Sequence, residues 1–381
     1  MGHQIVMPNN NPLADIKPLN SWLKLAESGI GIIAGPCSAE NEEQVLSCAR
    51  DLAKNKNVGA FRTGIWKPRT RPEGFEGAGE IALRWLDQAK KETGLPYCIE
   101  VASARHTEIA LKHHADMLWL GARTTVNPFL VQEIADALKG TDIPVLVKNP
   151  VNPDLELWIG SLERLYKSGL TKLAAIHRGF SFYRKGPYRN SPMWELPIEL
   201  KSRFPNLPIL TDPSHIAGSR SLLKEISQKA INLEMDGLMI EVHPNPGIAL
   251  TDKNQQVTPE AFAQLLEELI LRKRSGDKEF EIKLEQLRSE IDKLDSELIH
   301  ILARRMQIID EIGNYKKVNN ITILQLDRWR EIASNRVAQA ENMGLSREFI
   351  TTLLNIVHDE SIKRQETILG NSNSKPGDTE L

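Results

Sequence analysis

From about residue 30 to residue 270 the chain alternates short apolar runs with longer stretches in which apolar residues recur every three or four positions. Eight β-rich runs stand out: Ile30–Pro36, Ala60–Gly64, Tyr97–Glu100, Met117–Gly121, Pro144–Lys148, Leu173–His177, Leu207–Asp212 and Gly237–Val242. None alternates apolar with polar, so both faces of each strand are expected to be covered, as in a parallel sheet wrapped by helices. Helical periodicity fills Glu42–Asn55, Gly79–Thr93, Pro128–Leu138, Leu155–Ser168, Ser219–Asn232 and Pro259–Lys273. Eight βα units in about 250 residues have the size of a (β/α)8 TIM barrel. An open doubly wound sheet is the alternative, disfavoured because no Gly-x-Gly-x-x-Gly follows the first run.

The pattern changes at Arg272-Lys273-Arg274-Ser275-Gly276-Asp277, a charged, glycine-containing linker. From Phe280 onward β-rich runs nearly vanish, and Leu284, Leu287, Ile291, Leu294, Leu298, Ile301, Leu302, Ile308 and Ile312 recur at helical spacing. They predict one helix of about thirty residues or more, to near Lys317. Two shorter helices follow, Gln325–Met343 and Ser346–Ile368, separated by the stop signal Asn342-Met343-Gly344 and an N-cap at Ser346. Three helices, one of them very long, make a poor monomeric core, and a homodimer or larger homo-oligomer interlocking the long helices is the natural remedy. The expected organisation is an N-terminal extension (1–24), a barrel (25–272), a linker (273–279), an all-α three-helix domain (280–369) and a polar, aperiodic, disordered tail (370–381).

Composition narrows the class. Of 381 residues 41% are hydrophobic and 26% charged, which suffices for ordinary buried cores. The net charge of -2, with both signs intermixed, points to neither a nucleic-acid nor a membrane partner. Three cysteines are too few for a disulfide framework and fit a reducing cytoplasm. No stretch approaches the roughly 18 to 20 apolar residues of a membrane span, and the polar N-terminus lacks the apolar core of a secretory signal.

Four good metal donors, Cys37, His215, Glu241 and Asp252, lie at or just beyond the ends of predicted strands. Donors gathered from distant strand ends mark the mouth of a barrel enzyme and suggest one mixed thiolate, imidazole and carboxylate site for a divalent metal ion. The set does not choose among Mn, Fe, Zn and Co. Taken alone, Cys37 would read as a small buried hydrophobe, the role expected of Cys48 and Cys98. Cations crowd the same face: Arg62, Lys67, Arg69 and Arg71, with Thr70, on the loop after the second run, then Arg123, Lys148 and Arg178 at further strand ends. A single strand-end arginine is as often a rim cation, but several strand ends contributing together imply a polyanionic ligand. His177 and His243 flank these positions, with a supporting role left open.

Ala34-Gly35-Pro36-Cys37-Ser38, Lys67-Pro68-Arg69-Thr70, Gly121-Ala122-Arg123, Asp212-Pro213-Ser214-His215 and Glu241-Val242-His243-Pro244 occur in one order over residues 25 to 272. This region resembles the type I-beta 3-deoxy-D-arabino-heptulosonate 7-phosphate (DAHP) synthases, which condense phosphoenolpyruvate with erythrose 4-phosphate on a metal-dependent barrel at the entrance of the shikimate pathway. The resemblance implies Cys37, His215, Glu241 and Asp252 as metal ligands. It gives the phosphoenolpyruvate carboxylate and phosphate to Arg62, Lys67, Arg123, Lys148 and Arg178, and the aldose phosphate to Arg69 and Thr70. The sibling 3-deoxy-D-manno-octulosonate 8-phosphate synthases typically carry Lys-Ala-Asn-Arg-Ser at that loop, so Lys67-Pro68-Arg69-Thr70 argues for the four-carbon sugar. The regulatory domain that many type I-beta enzymes carry before the barrel is not expected here, which argues against control by an aromatic amino acid through it.

Residues 280 to 368 can be read as a dimerisation bundle alone, but Arg288, Arg305 and Lys316 recur along the long helix, Arg328 lies on the second, and Ser361 and Gln365 are one turn apart on the third. The segment resembles the all-helical chorismate mutases through Leu287-Arg288, Leu302-Ala303-Arg304-Arg305, Gly313-Asn314-Tyr315-Lys316, Leu326-Asp327-Arg328 and Glu360-Ser361-Ile362-Lys363-Arg364-Gln365. By that resemblance Arg305, Arg328 and an Arg288 of the partner chain grip two carboxylates with help from Ser361, while Lys316 and Gln365 hydrogen-bond the ether oxygen. Trp329 and Gln325 stand where family members carry acidic residues, which weakens the expected hold on the substrate hydroxyl. The combined expectation is a bifunctional cytoplasmic synthase and mutase in which prephenate or chorismate bound by the helical domain restrains the barrel. The alternative keeps the synthase and makes the helical domain a sensing and dimerisation module.

Overall fold

In the computed structural model of the chain, eight strands close a parallel barrel in sequence order, with β8 returning to β1. They are β1 (Gly31–Gly35), β2 (Ala60–Thr63), β3 (Tyr97–Val101), β4 (Met117–Leu120), β5 (Val145–Lys148), β6 (Leu173–His177), β7 (Ile209–Thr211) and β8 (Gly237–Glu241). The structure describes residues 13–67, 74–183, 186–272, 276–323 and 335–370. It divides into two units, Met1–Arg272 and Lys273–Leu381.

Every barrel strand is buried along its whole length, which is why its sequence shows no polar alternation. The two faces nonetheless differ. Ile32, Ala34, Phe61, Ile99, Val101, Leu118, Val145, Val147, Ala175, Leu238 and Ile240 point outward into the core shared with the helices. Ile33, Ala60, Cys98, Met117, Trp119, Leu146, Ala174, Ile176, Leu210 and Met239 fill the interior, and Leu19 and Leu23 of the N-terminal segment pack into this cluster at the start of β1. The interior is thus a packed core closed at one end, which leaves the C-terminal ends of the strands for a site.

Helices begin where short polar side chains satisfy the first free N–H groups: Asn41 accepts from Gln44, Asn127 from Leu130, Asp154 from Leu157 and Thr258 from Ala261. Periodicity singled out neither Ala104–Lys112 nor Glu195–Arg203. Each has nine residues and only two buried side chains, too few to draw a stripe, and the second contains Pro197. The seventh run shrinks to three residues at both ends: Leu207 N–H bonds the Phe204 carbonyl and Pro208 has no N–H to give, while Asp212 leaves the sheet to cap the short helix Pro213–Ala217, accepting from His215 N–H.

The second unit is dominated by the 41-residue helix Lys278–Val318, capped by Asp277. A helix over 335–342 ends at Gly344, whose φ of +86° stops it, and Ser346 then caps Arg347–Gly370 by accepting from Phe349 N–H. Gly313 is the buried crossing point of the two long helices, since a Cβ there would lie 2.9 Å from Ile368 Cδ1. Much of the apolar stripe is uncovered within one chain; Leu294 is 62% exposed and Ile301 64%. Residues 325–334 of the expected second helix and the tail from 371 lie outside the described residues.

Candidate active sites

On six of the strands a charged residue stands two positions beyond the last inward apolar one. Ala60 leads to Arg62, Cys98 to Glu100, Leu146 to Lys148, Ile176 to Arg178, Leu210 to Asp212 and Met239 to Glu241, all buried. Because side chains alternate along a strand, these six share the interior side and form a charged layer over the apolar plug. The fourth strand contributes Gly121 at this height; a Cβ there would lie 2.1 Å from Glu100 Oε1, so any side chain would displace the carboxylate.

On one side of the layer the donor atoms of Cys37, Glu241 and Asp252 all lie within 4.8 Å of one another. His215 Nε2 joins them, 3.8 Å from Glu241 Oε1 and 3.8 Å from Asp252 Oδ2. Burial and the neighbouring Glu241 push the Cys37 thiol up to about 12. Glu241 Oε1 is buried without a hydrogen bond among the described residues. Its nearest cation is Arg62 Nη2 at 3.5 Å, beyond good hydrogen-bonding geometry, and a thiol held protonated by burial and by Glu241 stands beside it, so a divalent cation would engage that oxygen and deprotonate the sulfur. The residues present therefore fit a metal.

Cys37, His215 and Asp252 share the lining of a cavity of about 230 Å³ with Glu100, Lys67, Arg123, Lys148, Arg178 and Arg189. Three cations surround the interior Trp119: Arg62 Cζ lies 4.8 Å, Lys148 Nζ 5.8 Å and Lys67 Nζ 6.0 Å from its ring centroid. An aromatic face attracts cations without neutralising them, so it holds like charges together while leaving them available to an anion. Arg62 is fully buried, with Nη2 3.4 Å from the Cys37 carbonyl, and its Nε and Nη1 make no hydrogen bond among the described residues. Arg178 is held by Asn190 Oδ1 (2.8 Å), and burial lowers its guanidinium to about 10.

The sequence reading missed several of these partners. Glu100 pairs with Lys67 at 3.4 Å. Asp212 links the two halves of the site, accepting from Lys148 Nζ at 2.8 Å and lying 2.8 Å from His215 Nδ1, a contact with the distance but not the angle of a hydrogen bond. Burial alone would raise its pKa, but His215 and Lys148 pull it well below the ordinary carboxylate value. A charge ending an apolar run was the available signal for both. Arg189, Gln255 and Gln256 sit in loops with no such pattern. Arg69 and Thr70 lie outside the described residues.

His243 Nε2 faces Glu40 at 3.7 Å. His177 Nε2 is 2.6 Å from the Pro192 carbonyl, its ring meets Trp194 edge-on, and burial lowers its pKa from 6.5 to about 4. Between these values the unfolded chain binds a proton that the native barrel refuses, so stability falls as pH drops from 6.5 towards 4, by about 3 kcal/mol for this residue. His177→Gln is expected to flatten that part of the curve of urea midpoint against pH; equal slopes in variant and parent would refute the assignment. His215, also depressed chiefly by burial, contributes with the same sign and leaves a residual slope.

In the helical unit Ser361 and Gln365 are the two buried residues of Arg347–Gly370. Arg305 Nη1 donates to Ser361 Oγ at 2.7 Å, and Gln365 Nε2 donates to the Ser361 carbonyl while its buried Oε1 has no hydrogen bond among the described residues. Lys316 donates to the Ile323 carbonyl, lines a cavity of about 580 Å³ with Glu311, Ile312, Tyr315 and Ile321, and has its pKa lowered by burial. Arg288 stands seventeen residues before Arg305 on one helix, about 25 Å along its axis, so it cannot share a pocket with Arg305 of the same chain. Arg328, Gln325 and Trp329 lie outside the described residues.

Comparison with known proteins agrees with both halves. Residues 26–273 match the DAHP synthetase I family and residues 287–366 match chorismate mutase type II. A phospho-2-dehydro-3-deoxyheptonate aldolase of Thermotoga maritima is 34% identical over 271 residues, covering 70% of this chain and 78% of that protein. A 2-dehydro-3-deoxyphosphooctonate aldolase of Syntrophotalea carbinolica is 27% identical over 264 residues, covering 63% and 90%. The crystal structure of a Thermotoga maritima DAHP synthase superposes with a TM-score of 0.58 at 33% identity, over 64% of this chain and 68% of that one. The chain is an enzyme of the DAHP synthetase I family, with a chorismate mutase type II domain behind its barrel.

Proposed function

We propose that the barrel condenses phosphoenolpyruvate with erythrose 4-phosphate to DAHP and phosphate, and that the helical domain rearranges chorismate to prephenate. The observation that carries the first half is the charged layer, in which cations from four strand ends face a thiol, imidazole and carboxylate cluster across one small cavity. Cys37, His215, Glu241 and Asp252 would hold one divalent ion, which supplies Lewis-acid polarisation of the aldehyde. Arg62, Lys67, Arg123, Lys148 and Arg178 neutralise the carboxylate and phosphate of phosphoenolpyruvate and orient its C3 toward that carbonyl, converting a bimolecular encounter into an oriented one. Arg69 and Thr70 take the aldose phosphate. The likeness to octulosonate synthases keeps arabinose 5-phosphate as the competing aldose, and the Lys67-Pro68-Arg69-Thr70 loop favours erythrose 4-phosphate.

In the helical domain Arg305, with Arg328 and an Arg288 of the partner chain, grips the two carboxylates, and Ser361 fixes the Arg305 fork. Lys316 and Gln365 stabilise charge growing on the ether oxygen, a rearrangement that needs positioning and electrostatics but no nucleophile. The exposed stripe of the long helix and the remote Arg288 support a dimer or larger homo-oligomer through this domain. The three cysteines are free and buried, which suits the cytoplasm. Among the described residues no helix is long and apolar enough to cross a membrane. Prephenate or chorismate in the helical domain would restrain the barrel.

One series tests substrate, metal and control: aldose-phosphate-dependent release of phosphate from phosphoenolpyruvate, before and after chelation, and with prephenate added. Release with erythrose 4-phosphate, its loss to chelator and recovery with added divalent metal are expected. Preference for arabinose 5-phosphate would transfer the enzyme to the octulosonate class. Rates unchanged by prephenate would remove the regulatory link. A helical domain that only senses and dimerises would leave chorismate unconverted by the full chain.

A further inference from the structure

Each carboxylate of the donor cluster has one oxygen already engaged. Glu241 Oε2 accepts from Gln255 Nε2 at 2.6 Å, leaving Oε1 without a hydrogen bond among the described residues, 3.5 Å from Arg62 Nη2 and 3.8 Å from His215 Nε2. Asp252 Oδ1 accepts from Arg189 Nη1 at 3.0 Å, leaving Oδ2 3.5 Å from Cys37 Sγ and 3.8 Å from His215 Nε2. Gln255 Nε2 also reaches Asp252 Oδ2 at 3.3 Å, so one buried amide spans both carboxylates. Its orientation is forced, because Gln255 Oε1 accepts from Arg189 Nη1 at 2.7 Å. Flipped, it would turn its oxygen on two anions and its N–H groups on a guanidinium.

The next residue holds the backbone of Cys37. Gln256, fully buried, accepts the Cys37 backbone N–H at 2.9 Å and donates to the Thr251 carbonyl at 2.7 Å. Arg220 grips the same loop from outside through the carbonyls of Lys253 and Gln256. Asp252 itself sits at a φ of +47°, a left-handed conformation that aspartate adopts more readily than most non-glycine residues.

We propose that Gln255, Gln256 and Arg189 are positioning residues that assemble the metal centre of the barrel, fixing Glu241 and Asp252 so that Glu241 Oε1 and Asp252 Oδ2 converge with Cys37 and His215. The inference rests on the metal reading given above. The chemistry explains the residue types. A glutamine amide donates to both carboxylates without adding a further positive charge to those that Arg62 and Arg189 already bring to them. Arg189, nearer the rim, supplies a single positive charge that orients the amide. Partners that orient metal ligands typically contribute about 10- to 100-fold in affinity.

The test uses the full chain stripped of metal and titrated with Co2+ alone, read by the thiolate-to-cobalt charge-transfer band and by competition with a chelator. The parent chain is expected to show the band and Cys37→Ser to lack it. Gln255→Leu should weaken Co2+ binding by about 10- to 100-fold and shift the band, and Arg189→Gln should weaken it at least several-fold, with circular dichroism like the parent's. A parent without the band, or Cys37→Ser retaining it, overturns the metal reading and the positioning roles together. A normal parent with both variants within twofold of it overturns the positioning roles alone. If Gln255→Leu fails to fold, Arg189→Gln decides, since that side chain is 45% exposed and its replacement leaves the core intact.

Discussion

Cys37→Ser is expected to reduce phosphate release from phosphoenolpyruvate and erythrose 4-phosphate by about a thousandfold or more in the full chain, while chorismate turnover is unchanged. A serine hydroxyl does not ionise as a thiol does beside a divalent ion, so the substitution removes the one anionic soft donor and leaves imidazole and carboxylates. Losing several kcal/mol of Lewis-acid stabilisation corresponds to about three powers of ten, at 1.36 kcal/mol each. The position tolerates little compensation: Cys37 is buried, and its backbone N–H is tied to Gln256. Cys48→Ala is the matched control, because Cys48 is equally buried but faces the Val242 carbonyl from a helix. A Cys37→Ser enzyme within tenfold of the parent would remove the thiolate from the reaction.

Lys316→Ala should lower chorismate turnover by about a hundred- to a thousandfold, the cost of losing one donor aimed at developing negative charge. Synthase activity measured without prephenate should stay within twofold, since Lys316 belongs to the other unit. Burial already disfavours the charged ammonium, so its pairing with an oxygen that gains charge in the transition state is worth more than in water. The same variant separates the two readings of the helical domain. If the parent converts chorismate and Lys316→Ala keeps a third of that rate, Lys316 is not the ether-oxygen donor; if the parent does not convert it, the domain is a sensing and dimerisation module.

The barrel was legible because each strand is an uninterrupted apolar run, a pattern that survives without any knowledge of neighbours. Seven of those runs end within about a residue of the observed strands, and the remaining one, Leu207–Asp212, loses Asp212 to the cap and also loses Leu207 and Pro208 at its start, where Leu207 N–H bonds the Phe204 carbonyl and Pro208 has none to give. Glu195–Arg203 escaped because a nine-residue helix with two buried side chains leaves almost no periodic signal. Chemistry was legible where a charge terminates an apolar run, as at Lys148, Arg178 and Glu241, since burying such a group without a task is costly. Glu100 and Asp212 carried the same signal and were passed over as strand ends. Gln255, Gln256 and Arg189 carried none, being polar residues in loops, where polar residues are the rule.

By itself the sequence determined eight strand segments, their parallel and covered character, the break near residue 273 and the residue types at the strand ends. These follow from local periodicity and from the free energy of burying apolar or charged groups, which act residue by residue. Only the tertiary structure decided that six charged residues share the interior side of the barrel, that Trp119 gathers three cations, that Asp212 joins the imidazole to a lysine, and that two adjacent glutamines hold two carboxylates and a thiol loop together. Those depend on barrel closure, which brings residues 37, 100, 189, 212, 241 and 255 within hydrogen-bonding networks although up to about two hundred residues separate them along the chain. No local pattern encodes such separations, because their physical cause is the register of strands that meet only once the sheet is closed.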